Sequence, residues 1–290
     1  MIARGRGGVY ERDMPTHVIG TLDDPRVEPY RDLKSTNRTR WSNHFIAEGL
    51  LVVERLLASD FDLVSVLASR QMEQQVAPLV PADRPLYLLD DRLAAELVGY
   101  TFHTGVLACG VRKAGPPLDT LVPADADCVL LAVCPNVNDP ENIGAIIRLC
   151  AGFGLNGVIL GPECADPFSR RVLRVSMGTA FSVPIVESRD LAADLVCLRE
   201  RLAVELCAAV LDPRAEPLDG LRPAARMAVL FGNEKHGLGP QWIELCQRKL
   251  TIPMAPGADS LNVAVAAGIF FHHVKRVACA WQPENAVREA

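Results

Sequence analysis

The sequence lacks the fingerprints of the commonest nucleotide and hydrolase sites. It contains no G-x-G-x-x-G turn and no G-x-x-x-x-G-K-[ST] loop, and Lys235 stands in GNEKHG, outside a phosphate-loop frame. The absence of G-x-S-x-G argues against a serine hydrolase. H-E-x-x-H is also missing, and His272 and His273 are neighbours on a predicted helix, so they diverge; His236 has no Cys or Asp at ligand spacing. No metal is therefore expected. No apolar run approaches the roughly 18 residues of a membrane span. MIARGRGGVYERDM has no apolar core of the signal-peptide kind, so none is expected. The nine cysteines include no C-x-x-C pair. Cys128, Cys134, Cys150, Cys197 and Cys207 sit in apolar runs and read as small buried hydrophobes kept reduced, which fits a cytoplasmic protein. A formal net charge of -5 leaves no basic excess for indiscriminate nucleic-acid binding, although a local basic patch is compatible with it.

What is present is ample material for a core: 290 residues, 49% of them hydrophobic, a length that favours two domains. Residues 1–25 are rich in Gly, Arg and Asp without periodicity and read as a flexible N-terminal tail. Residues 26–113 alternate helix and strand signals and form a small α/β domain. Within it, Phe45–Leu57 has helical periodicity, and DLVSVLAS, PLYLLD and TGVLACGV read as strands. The stretch 114–127, rich in Pro and Asp, reads as a linker. From 128 to 290 the alternation is clearer. CVLLAVC, GVILG, FSVPIVE, LCAAVL, ARMAVLFG and LTIPMA read as strands. Helices are expected over Gly144–Phe153, SRRVLRVSMGTA, LAADLVCLRERLAVE, PQWIELCQRKL and SLNVAVAAGIFFHHVKRVACAW. Repeated β-α-β order predicts an α/β fold, a mostly parallel sheet with helices on both faces.

In such sheets ligands collect outside the carboxyl ends of strands. Three of those ends carry Gly and Asn together: PNVNDPENIGAIIR after CVLLAVC, GNEKHGLG after MAVLF, and PMAPGADSLNVAVAAGI after the LTI strand. Glycine admits a ligand close to the backbone, and Asn offers both donors and acceptors to a base or ribose. Arg148 follows one turn into an otherwise apolar helix, an unusual place for a lone cation. Two further basic clusters are candidates for phosphate contact. One is RDLKSTNRTR, with Arg38 and Arg40, which by itself reads rather more readily as a solvated helix start; the other is Arg170, Arg171 and Arg174.

In order and spacing, NVNDPENIGAIIRLCAGFG, VLFGNEKHGL and IPMAPGADSLNVAVAAGI resemble the three signature motifs of the SpoU/TrmH-type RNA ribose methyltransferases of the SPOUT class. RVSMGTAFSVPI resembles the family's segment between the first two motifs. FIAEGLLVVERLL and TGVLAC resemble its small α/β substrate-binding domain. The resemblance implies a C-terminal trefoil knot, S-adenosylmethionine held by the knotted loops, and a homodimer with active sites at the subunit interface. It implies methyl transfer to a ribose 2′-OH of RNA, with rRNA ahead of tRNA because the extra domain is like those of rRNA-modifying members. A non-catalytic RNA-binding protein of the same fold is the alternative.

On this resemblance the catalytic set is Asn142, Arg148, Glu234, Ser260 and Asn262. The family reading has Arg148 promote deprotonation of the hydroxyl together with an RNA phosphate. Since a guanidinium holds its proton, binding phosphate and stabilising a developing alkoxide suits Arg148 better. Asn142 also reads as a helix cap. Expected cofactor contacts are Leu160, Gly161, Gly232, Asn233, Ile252, Met254 and Leu261, several of which read equally as plain core. The last helix is apolar around most of its circumference, as a subunit interface or intrachain packing would require.

Overall fold

The computed structural model describes residues 15–33, 43–255, 257 and 260–278. The chain divides into two compact units between Arg112 and Lys113.

The first unit is built on a five-stranded mixed sheet. Its elements are β1 (Thr16–Val18), β2 (His44–Glu48), α1 (Leu50–Leu57), β3 (Leu63–Ser69), α2 (Glu73–Val76), β4 (Leu86–Leu89), α3 (Asp91–Val98) and β5 (Val106–Val111), with strand order β1-β4-β3-β5-β2. Two expectations are corrected here. Residues 15–25 are not a tail: β1 pairs in parallel with β4, Thr16 opposite Leu86, and Ile19 is buried. Phe45–Leu57 is not one helix. His44–Glu48 pairs antiparallel with β5, and Gly49, at φ 92°, turns the chain into α1. Phe45, Ile46 and Ala47 are all buried, so this strand is apolar on both faces, and a short run of that kind carries no alternation to set it apart from a helix.

The second unit carries β6 (Val129–Cys134), α4 (Pro140–Phe153), β7 (Gly157–Leu160), α5 (Arg170–Val175), β8 (Ile185–Glu187), α6 (Leu191–Glu200), β9 (Glu205–Ala209), β10 (Glu216–Pro217), β11 (Arg226–Leu230), α7 (Pro240–Leu245), β12 (Arg248–Thr251) and α8 (Val263–Ala278). Its seven strands lie in the order β10-β12-β9-β11-β6-β7-β8, and every pairing is parallel. Leu131, Val133, Leu206, Ala208, Ala228 and Leu230 pack against Leu191, Leu195 and Leu198 of α6, with Trp242 and Ile243 of α7 beside them. The alternate residues Leu130, Ala132 and Cys134 are also fully buried, as a sheet covered on both faces requires. α4 packs on both α5 and α8. The segment 114–127 is no free linker: Leu121 and Val122 are buried in this unit's core. Several helices and strands are shorter than expected. α7 stops at Leu245 and Arg248–Thr251 is already strand; α5 ends at Val175, after which Gly178 takes φ 80°.

Glycine has a steric purpose at Gly144. A Cβ there would lie 2.8 Å from Val175 Cβ and 3.0 Å from the Val172 carbonyl oxygen, so α4 and α5 meet at this point only without a side chain. α8 is fixed on the sheet by Phe231, whose ring meets Phe270 and Phe271 edge-on at 5.7 and 5.6 Å. Burial pushes the Cys109 thiol up to about 12 and those of Cys134, Cys150 and Cys207 well upward, so these are packing residues and not nucleophiles. Cys128 and Cys197 depart from the expectation: both are only partly buried, and Cys128 is disulfide-bonded. Among the described residues no helix is long and apolar enough to cross a membrane.

Candidate active site

The loops after β6, β11 and β12 meet in one chain of side-chain amides. It starts at α8, which Asn262 caps: its Oδ1 accepts from the backbone N–H of Ala264 (2.9 Å) and Val265 (3.2 Å). Only the oxygen of an amide can accept two donors, so Nδ2 must point the other way. It donates to Asn142 Oδ1 at 2.9 Å. Asn142 Nδ2 then donates to Glu234 Oε1 at 2.5 Å. The helix cap thereby sets the orientation of both amides, and Glu234 is left as the acceptor at the far end. Asn142 is 6% exposed and lies in the first turn of α4. It does not cap that helix. Asp139 does, its carboxylate accepting from Glu141 N–H at 2.8 Å, with Pro140 at the first helical position.

On one side of this chain is a cavity of about 460 Å³, walled by the strand ends of β9, β11 and β12 and by the start of α8. Of the expected cofactor residues, Gly232, Asn233, Ile252, Met254 and Leu261 line it. Leu160 and Gly161 do not. They end β7, on the opposite side of β6 from β11, where Leu160 is 2% exposed and a Cβ on Gly161 would fall 2.1 Å from the Pro135 carbonyl oxygen. The loop 233–237 closes on itself: Asn233 and Gly237 exchange backbone hydrogen bonds of 3.0 and 2.8 Å. Gly232 makes this possible, since its Cβ would lie 2.1 Å from Leu238 N. Ser260 lines the cavity and does not join the amide chain.

On the other side is a groove of about 950 Å³ between α4 and α8. Asn142, Arg148 and Asn262 line it, followed by Ala145, Leu149, Phe153, Val265 and Ile269. Arg148 is exposed and makes no hydrogen bond or ion pair among the described residues. Glu141, on the rim, forms an ion pair with Arg171. Arg174 is exposed at the end of α5, and Arg170 is half-buried. Arg38 and Arg40 lie outside the described residues. The structure thus brings Asn142, Arg148, Glu234 and Asn262 together, with Arg171 at the edge.

Sequence reasoning missed the β9 contribution, Ala209, Val210 and the 61%-exposed Leu211, together with Thr251, Phe231 and Phe270. Leu211 follows a parallel strand's carboxyl end, which was signal enough to consider it.

Comparison with known proteins gives a consistent picture. The model of the SpoU rRNA Methylase family matches residues 129–272. An uncharacterized tRNA/rRNA methyltransferase of Mycobacterium tuberculosis is 36% identical over 95% of this chain and 97% of its own. A 23S rRNA (guanosine(2553)-2′-O)-methyltransferase of Bacillus subtilis is 28% identical over 89% of this chain and 98% of its own. Among solved structures, an AdoMet-bound rRNA methyltransferase from Sinorhizobium meliloti superposes with a TM-score of 0.75 at 26% identity, covering 90% of this chain and 98% of that one.

Proposed function

The chain belongs to the SpoU rRNA methylase family, and on that premise we propose that it methylates a ribose 2′-oxygen of ribosomal RNA, with Arg148, Asn142, Glu234 and Asn262 carrying the reaction. It is an S-adenosylmethionine-dependent RNA 2′-O-methyltransferase. The observation that carries the site assignment is the Glu234–Asn142–Asn262 chain, which separates a small-molecule cavity from a groove holding an arginine with no partner among the described residues.

The cavity suits the cofactor. Its volume of about 460 Å³ falls within the range of roughly 300–1,000 Å³ usual for small-molecule sites. Leu211, Ile252 and Leu261 offer an apolar slot for adenine, and the backbone around Gly232 and Met254 can read its polar edge. When bound, S-adenosylmethionine supplies a methyl group made electrophilic by its sulfonium. The chain's own residues do the positioning. Asn142 and Asn262 hold fixed donors and acceptors at the boundary where the ribose must present its 2′-oxygen. Arg148 anchors an adjacent RNA phosphate and stabilises negative charge as it builds on that oxygen. Arg171 and Arg174 extend the phosphate-binding surface of an otherwise acidic protein.

The groove is incomplete in a single chain. Val265 and Ile269 are 53% and 38% exposed on α8, beside Ala145 and Leu149 of α4. We assign this face to a second copy, which would cover the apolar stretch and enclose Arg148. A C-terminal trefoil knot is part of this reading on the strength of family membership, and the contact at Gly232 belongs to the local 232–238 turn. From the proposed ribosomal substrate we infer a cytoplasmic location.

The test is transfer of labelled methyl from S-adenosylmethionine to unmodified rRNA and tRNA, followed by nucleoside analysis. Label in a 2′-O-methyl nucleoside of rRNA is expected. No label, with no cofactor binding by calorimetry, would overturn the assignment.

A further inference from the structure

We propose that Lys235 binds the carboxylate of the cofactor's amino-acid tail and so makes the cavity selective for a ligand carrying that charge. The inference rests on the methyltransferase reading above and adds a residue outside the amide chain. Among the described residues that wall the cavity, only Glu234 and Lys235 carry a formal charge. Glu234 already accepts a hydrogen bond from Asn142. Lys235 is exposed and has no ion-pair partner among the described residues.

The backbone beneath Lys235 is well held. Asn233 Oδ1 accepts from the N–H of Lys235 at 2.9 Å and of His236 at 3.3 Å, while Asn233 Nδ2 donates to the Asn136 carbonyl at 3.1 Å. The loop tip is therefore tied to the loop after β6, and it directs successive side chains differently. Glu234 reaches Asn142, Lys235 lines the cavity, and His236 does not.

The ligand's own connectivity supplies the remaining argument. The reacting methyl must face the groove where Arg148 stands, so the sulfur belongs at the Glu234–Asn262 end of the cavity. The amino-acid tail leaves that same sulfur and ends a few bonds away in an ammonium and a carboxylate. Glu234 and Lys235, adjacent in sequence, present one charge of each sign to that zwitterion. Lys235 is the cation within reach of the carboxylate.

The pair is solvent-accessible, so its worth is modest, about three- to fivefold in affinity. Calorimetry on the full-length protein tests it, with S-adenosylmethionine and its decarboxylated analogue, which keeps the sulfonium and the amine, as the two probes. In Lys235→Gln, affinity for S-adenosylmethionine should fall about three- to fivefold. Affinity for the analogue should stay within about twofold, so that the preference between them collapses. Lys235→Arg should keep most of the preference. Equal weakening of both ligands would show a loop role only and overturn the proposal. Unchanged affinities with a raised KM for RNA would assign Lys235 to an RNA phosphate and overturn it too. Failure of the wild-type protein to bind either probe would instead remove the methyltransferase reading itself.

Discussion

The cavity and the groove share Asn262 as a common wall, and they differ in completeness. Strand ends and one helix of a single chain build the cavity. The loop at its edge is closed by its own backbone hydrogen bonds, and the amides on its border are paired. The groove holds Arg148, which has no partner among the described residues, and the exposed Val265 and Ile269 line it as well. A site that is finished within one chain suits a small cofactor bound in the same way each cycle. A site left apolar and positively charged suits two macromolecular partners, a second copy on the apolar part and RNA on the cation. The division predicts that perturbations on either side of Asn262 separate cleanly in their readouts.

The largest of these effects is expected at Asn262 itself. Asn262→Asp keeps an oxygen to cap α8 but cannot donate to Asn142 Oδ1. Methyl transfer should fall about a hundredfold, the cost of losing one positioned donor, while the thermal midpoint holds or rises slightly, because a carboxylate suits a helix N-terminus. Rate and melting curve together check this; a lower midpoint with an unchanged rate would reduce Asn262 to a cap. Gly232→Ala sharpens the comparison from the cavity side. A Cβ 2.1 Å from Leu238 N forces the loop open, so cofactor affinity should drop at least about tenfold and stability by about 1–3 kcal/mol, read by calorimetry and denaturant unfolding. Ile269→Asp perturbs only the groove. It should weaken self-association by about tenfold in sedimentation, with cofactor affinity unchanged; a shift in cofactor affinity would mean that the two sites are not separate.

Much of this architecture was legible in the sequence, and the failures share a cause. The three Gly- and Asn-bearing loops were readable because each follows an apolar strand, and all three reach the site. Asn142 was misread as a cap although the Asp139–Pro140 pair is a helix-start signal in its own right. Phe45–Ala47 was misread as helix because a short strand buried on both faces has no alternation to show. Leu160 and Gly161 were expected at the cavity, and Ala209–Leu211 were not. Which strand end adjoins which depends on the lateral order β12-β9-β11-β6-β7, and that order is set by long-range pairing. The family resemblance named the chemistry, but only the structure showed that the helix cap at Asn262 orients the amides on which the chemistry depends.

The most direct test of the account is Arg148→Ala, measured twice on the same preparation: cofactor binding by calorimetry and single-turnover methyl transfer to rRNA. If the cavity is complete without the groove, binding stays within about twofold while transfer falls by about a thousandfold or more. Loss of both together, or transfer at the wild-type rate, would contradict it.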